Sequence, residues 1–409
     1  MKLSSKSKEY NIPEYSLTGD LLSFLTCNLQ YRYQNKGLLP PSRPLQHWFG
    51  EFIHGVMDEA YKQWKIKETH FPWDWMGDIR PIEEKIDQQM QIRGLYPPNP
   101  KYFTHYIDIE NSKKIPLKRI ISSRVEKSIN IWGKHIFPLI DSSEVLIKRL
   151  REIPSDSNNE EQSDNNIEKR SDFYCVNGII DVISSLNISS EISTNNLIID
   201  YLKKEGFYKS QRKSEEYEII IDYKGMKRPK YDSRTTNQQS KISDKSDWNY
   251  HKWQILTYSW LRSRQANSKP IMAGIIFYLN ELLPSTKDLL VIKEDIETNK
   301  TDLKISKFDK QLIEDWDESE ENFPKLSNSF KLDRSIRIIK IDDDEIKKAL
   351  TEFDIVVNKI EKSTLKENKS NSIKNSWKAD GDKRTCDACD FKSFCNKYTD
   401  QNSNCLTIP

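Results

Sequence analysis

Two acids and a lysine stand where apolar runs end. Gly178-Ile-Ile-Asp181 lies within the run that begins at Phe173, and Asp222-Tyr-Lys224 closes Tyr217-Glu-Ile-Ile-Ile. Side chains alternate along a strand, so Glu218, Ile220, Asp222 and Lys224 share one face, and a carboxylate and an ammonium project together from its end. Carboxylates on neighbouring strands offer hard oxygen ligands to Mg²⁺ or Mn²⁺. An ion held there stabilises charge developing on a phosphate and lowers the pKa of a bound water. Lys224 is placed to orient that water or to stabilise the transition state. An Asp-x-Lys triplet alone is as a rule a solvated strand end. The preceding Asp181 is what lifts this one above that reading.

His54 adds a nitrogen donor. Gly50 and His54 are four apart and share a helix face, and a glycine at position 50 leaves room for the imidazole to approach a neighbouring element. Imidazole suits Mn²⁺ better than Mg²⁺. Gln254 and Tyr258 also share a helix face, where they can meet a phosphate or the attacking water; a polar stripe beside Trp253 and Trp260 is the plainer reading of that pair.

The second chemistry-bearing set is sulfur. Cys386, Cys389 and Cys395 form a C-x₂-C-x₅-C run, and Cys27 stands alone near the other end of the chain. Three thiolates in one short loop leave a tetrahedral metal or a cubane cluster one ligand short, and Cys27 is the natural fourth. Zinc and iron–sulfur both suit such a set. Six cysteines in 409 residues do not make a disulfide framework, and their clustering reads as metal binding in a reducing compartment.

Composition narrows the rest. With 64 Lys+Arg against 62 Asp+Glu the chain has no global basic field, so any nucleic-acid groove is local. The local candidates are Lys224, Lys227, Arg228 and Lys230 beside the acids, and Arg32 between Tyr31 and Tyr33, a cation flanked by aromatic faces for unstacked bases. Short basic runs are just as often solvated loops. No GxxxxGK phosphate loop is present, which argues against an ATP-driven motor. No run reaches the ~18 apolar residues of a membrane span, nor is there an apolar leader, so a cytoplasmic protein is expected.

The elements that must position these residues follow from periodicity. A helix is expected over residues 16–35, delivering Cys27 near its C-terminal end, and a second over about 45–64, where Trp48, Phe49, Phe52, Ile53, Val56, Met57 and Ala60 recur at helical spacing. Residues 67–151 read as mixed and mostly helical, and 154–171 as a mobile polar loop. Strands are expected at 173–183, 196–202, 217–224, 271–280 and 335–341, helices at 248–264 and from Asp342 to about 362, a loop at 225–247, and a polar linker at 364–384. Residues 281–334 are ambiguous.

In this order, Gly50-x₃-His54, Gly178-Ile-Ile-Asp181, Asp222-Tyr-Lys224 and Gln254-x₃-Tyr258, bracketed by Cys27 and Cys386-x₂-Cys389-x₅-Cys395, the chain resembles the RecB-like branch of the PD-(D/E)XK nuclease superfamily. Within it, the iron–sulfur members are the nearest match: CRISPR-associated exonucleases, the AddB nuclease domain and exonuclease V. The resemblance covers roughly 16–64, 173–280 and 386–398. It departs from the family after Cys27, where Asn28 stands in place of the usual proline.

The resemblance implies an α/β fold with a mixed central β-sheet flanked by helices (a restriction-endonuclease-like core) and an iron–sulfur clasp joining the two ends; it does not account for 67–171, whose largely helical insertion is expected from its own pattern, or for most of 281–384. It implies Mg²⁺ or Mn²⁺ on His54, Asp181 and Asp222, with Lys224 catalytic and Gln254 and Tyr258 as the trailing motif. It also implies a [4Fe-4S] cluster on Cys27, Cys386, Cys389 and Cys395, and exonuclease or end-processing action on single-stranded DNA or DNA ends, with a helicase as one kind of partner. A non-cleaving DNA-end-binding subunit of a helicase–nuclease assembly is the competing expectation. The domains expected are 1–66 (N-terminal helical part), 67–171 (insertion), 172–280 (nuclease core), 281–384 (extension and linker) and 385–409 (cysteine loop and tail).

Overall fold

The β-branched run Ile219-Ile-Ile221 is buried on both faces and forms the middle of the sheet. The computed structural model of the chain describes residues 12–37, 45–97, 105–108, 113–153, 171–187, 195–210, 215–229, 247–301, 305–317, 324–392, 395 and 397. Lys230, all but the last residue of the loop expected at 154–171 and most of the loop expected at 225–247 lie outside the described residues.

Among the described residues the strands are β1 (Glu14–Ser16), β2 (His105–Asp108), β3 (Lys113–Pro116), β4 (Ile140–Glu152), β5 (Phe173–Asn187), β6 (Glu216–Lys224), β7 (Ile271–Tyr278) and β8 (Ile336–Lys340). Six of them form one mixed sheet in the order β1-β5-β6-β7-β8, with β4 paired to β5; β2 and β3 make a separate hairpin. The β1–β5 and β6–β7 pairs are parallel, while β4–β5, β5–β6 and β7–β8 are antiparallel.

Helices cover both faces. On one, Leu45–Lys67 packs Trp48, Phe52, Ile53, Val56 and Ala60 against Val182, Ile219, Ile221 and Tyr223. On the other, Asp247–Ser263 and Asp343–Ser370 pack Trp253, Leu256, Phe353 and Val357 against Val176, Ile180, Ile220 and Ile276. The latter helix starts at Asp342, whose carboxylate accepts from the amides of Asp344 (2.9 Å) and Glu345 (3.4 Å), and stops at Asn371, in the left-handed region at φ 49°. Asp247–Ser263 is the crossover between parallel β6 and β7, so Asp222 and Lys224 come to the carboxyl ends of two parallel strands, where open α/β sheets bind ligands.

Several expectations need correction. The helix expected over 16–35 is broken at Cys27, which is extended (φ −162°, ψ 118°) between Leu22–Thr26 and Asn28–Tyr31. The segment 196–202 is not a strand: Asn196 caps the helix Leu197–Lys204 by accepting from the Ile198 amide at 2.9 Å, so the cap outweighs the β-branched Ile198 and Ile199. The 67–171 stretch is helical over Trp75–Ile92 and Ile120–Leu139, as expected, but it also supplies β4, a strand of the main sheet, so it is not set apart from the core. The described part of the ambiguous 281–334 stretch is mainly helical, with Thr286–Glu297, Lys307–Asp315 and Asn328–Ser335 enclosing a small core of their own around Leu289, Ile292, Ile313 and Phe330. The expected linker at 364–384 is largely ordered, since Asp343–Ser370 runs into it and Trp377 is buried. Among the described residues no helix is long and apolar enough to cross a membrane.

Candidate functional site

The two acids meet where the sheet divides. β4 accompanies one edge of β5; along the other edge, β6 pairs with the second half and β1 with Cys175–Asn177. The β5–β6 ladder stops at Val182↔Ile221, one step before Asp181 would face Asp222. There the Asp181 side chain substitutes for the ladder, its Oδ2 accepting from the Tyr223 amide at 2.8 Å. The fork therefore places both carboxylates together, and both are buried.

His54 reaches this fork from the helix above, its Nδ1 lying 3.2 Å from Asp181 Oδ1. Gly50 does not make the room that was expected of it, because a Cβ added there would meet nothing within 4 Å. The close approach is made instead at Gly225, where an added Cβ would lie 3.0 Å from both Phe49 and Ile53. Gly178 has the same purpose on the opposite face: a Cβ there would come within 2.5 Å of the Tyr258 ring. Gly178→Ala should therefore push Tyr258 off the strand and cost about 1–3 kcal/mol of stability by overpacking, read as a lower urea midpoint; an unchanged midpoint would refute that packing.

Lys224 is held from two sides, 2.8 Å from Asp222 Oδ2 and donating at 2.8 Å to Gln254 Oε1. The Gln254 amide in turn donates to Asp222 Oδ1 at 3.0 Å and to the Tyr258 hydroxyl at 3.2 Å. Gln254 and Tyr258 thus do more than line a helix, since they fix the orientation of the carboxylate–ammonium pair.

Glu144 is the residue that sequence reasoning missed. It lies on β4 between the pairs Ser143↔Val182 and Val145↔Ile180, opposite Asp181. One oxygen each from Glu144 and Asp181 and one ring nitrogen of His54 lie within 4.8 Å of one another, a grouping that could hold a metal ion. Asp222, bound to Lys224 and Gln254, is outside that trio but close enough that its charge bears on His54. The donor set, two carboxylates and one imidazole, suits Mn²⁺ or Mg²⁺. In the sequence β4 shows only the short apolar run Val145-Leu-Ile147 among polar residues, and nothing marks Glu144.

The electrostatics are those of an anionic pocket. Burial by itself would draw the His54 imidazole down, but Asp181 and then Asp222 push it up to about 9. Burial would raise Asp181, yet His54 and Lys224 hold it below its usual range. Burial raises Asp222, with Lys224 opposing. Glu144 as a residue is exposed, but its carboxyl end leans into the site, where desolvation and the Asp181 charge push it up to about 7. Crowded acids of this kind are relieved by a cation.

The four cysteines also converge. Cys27, Cys386, Cys389 and Cys395 line one pocket together with Leu29, Tyr33 and Phe391. A Cβ added at Gly381 would lie 3.4 Å from both Cys27 Cβ and Cys386 Sγ. The Phe391 amide donates to Cys389 Sγ at 3.4 Å. Burial pushes the Cys386 and Cys389 thiols up, and each is raised further by the neighbouring cysteines, a repulsion that metal binding removes. The set fits a four-thiolate metal group.

Contacts between side chains and backbone brace the same junction. The Asn28 amide and side chain donate to the Asp380 carboxylate at 2.9 and 2.8 Å, and the Leu29 amide donates to the Lys378 carbonyl at 3.0 Å. Arg32 belongs here, not on a substrate surface: it grips Glu367 through two bonds of 2.7 and 2.6 Å, and Trp377 donates to the same carboxylate at 2.6 Å. Its neighbours Tyr31 and Tyr33 are buried, so neither offers a face to a base. Arg228 is likewise buried, its backbone amide donating to Glu281 at 2.9 Å. Of the expected basic patch, Lys227 remains half-exposed and within 4.0 Å of Asp288.

No family model matches the chain, and no curated protein matches it.

Proposed function

We propose that the protein is a metal-dependent nuclease that hydrolyses phosphodiester bonds in DNA, acting on single strands or ends, and that its sheet is a restriction-endonuclease-like core of the RecB-like PD-(D/E)XK kind. The observation that carries this reading is the meeting of His54, Glu144 and Asp181 beside a lysine clamped by Asp222 and Gln254. Mg²⁺ or Mn²⁺ bound by that trio would supply positive charge to the phosphate oxygens and acidify a water. Lys224 contributes a fixed ammonium, pre-oriented on both sides, toward which charge can develop without reorganisation. Asp222 and Gln254 hold that ammonium in place, and Tyr258 holds Gln254. On the same reading, the four cysteines carry a [4Fe-4S] cluster whose role is to fasten the chain ends.

End-labelled single-stranded DNA incubated with Mn²⁺, with Mg²⁺ and with a chelator tests the proposal. Cleavage is expected with either ion and none with the chelator, and binding should weaken steeply as salt rises. Tight binding with no cleavage under any ion would favour the non-cleaving end-binding subunit. Neither binding nor cleavage would remove nucleic acid from the account.

A further inference from the structure

Consecutive residues of a strand point to opposite faces, yet Ser143 and Glu144 both turn toward the helix Leu45–Lys67. Ser143 Oγ donates to Asp58 Oδ1 at 2.7 Å, and the Glu144 carboxylate joins His54 in the cation site. What permits this is the backbone of Glu144, at φ 51° in the left-handed region that a glutamate rarely adopts. Such a conformation persists only where its surroundings impose it. The imposing contacts are in view: Asp58 lies one turn after His54 on the same helix, and one turn further on the Tyr61 hydroxyl donates to the Ile140 carbonyl at 3.2 Å. The helix is thus stitched to β4 at two points beside the kink while it presents His54 to Asp181.

We propose that Asp58 and Ser143 are positioning residues which, through their mutual hydrogen bond, aim Glu144 at the ion. The proposal rests on the cation-site reading above and extends it to two residues that hold no ion themselves. Partners behind metal ligands are commonly worth about 10–100-fold in metal affinity, and that is the scale expected here.

The test is calorimetric titration of the full chain with Mn²⁺, alongside thermal unfolding. Ser143→Ala should weaken Mn²⁺ binding about 10-fold with little change in melting temperature, and Ser143→Thr, which keeps the hydroxyl, should restore it. Because the effect runs through Glu144, adding Ser143→Ala to Glu144→Gln should weaken binding no further than Glu144→Gln alone. Asp58→Ala provides an independent second variant should Ser143→Ala fold poorly. Wild-type affinity in Ser143→Ala and Asp58→Ala, with Glu144→Gln impaired, would overturn the positioning role and leave the cation site standing. Wild-type affinity in Glu144→Gln, or no Mn²⁺ binding by the wild type, would instead overturn the reading beneath it.

Discussion

Replacing Lys224 by alanine should reduce cleavage of labelled single-stranded DNA by about 10²–10³-fold, the usual loss when one pre-oriented charge or donor is removed from a phosphoryl or acyl site. The expectation follows from how firmly the ammonium is held, at 2.8 Å to both Asp222 and Gln254. A side chain fixed on two sides incurs little reorganisation when charge develops opposite it. Since Lys224 is not one of the three candidate ligands, Mn²⁺ affinity should survive the substitution. Asp222→Asn should reduce cleavage comparably, because it weakens the hold on Lys224 while leaving Gln254 a partner. Wild-type rates in both variants would detach the Asp-x-Lys pair from the chemistry.

The second large effect is expected at the sulfur pocket. Cys386→Ser removes one of four thiols that line a common cavity. The purified wild type should be brown, with a broad visible absorption band and bound iron, and the variant colourless. A structural metal site is worth about 10–16 kcal/mol in small zinc domains. Here the bonds from Asn28 and Leu29 to Asp380 and Lys378, and from Arg32 to Glu367, keep the ends together without any metal. They limit the loss to on the order of 5 kcal/mol, or about 6 °C in melting temperature for a chain of 409 residues. Stoichiometric zinc in a colourless wild type would replace the cluster by zinc while keeping the four-thiol site. A variant as stable as the wild type would show that the pocket fastens nothing.

The sequence carried the site's chemistry more fully than its geometry. Asp222 and Lys224 are legible because an apolar run of β-branched residues ends on them, and Asp181 because it interrupts another, Ile179–Ile183; two-residue periodicity then dictates which side chains share a face. The helix bearing His54 was equally plain from its apolar stripe. Glu144 was not: β4 is exposed along most of its length, so its periodicity is weak, and only its register opposite Asp181 and the left-handed backbone bring the carboxyl in. Arg32 misled for the opposite reason. An arginine between two tyrosines looks like a base-stacking element until Glu367, 335 positions away, is seen to hold it. Gly50 misled as well, since spacing alone cannot tell a glycine in open space from one, such as Gly225, pressed against a neighbour. Local rules gave residue types and faces, while long-range partners decided which charges were spent inside the fold.

The cation site itself is tested most directly by following the free Mn²⁺ paramagnetic resonance signal as the ion is added to wild-type protein and to Asp181→Asn. Depletion of the signal by the wild type, strongly reduced in the variant, is the predicted result. Equal depletion by both, or none by either, would contradict the assignment of His54, Glu144 and Asp181 to one divalent ion.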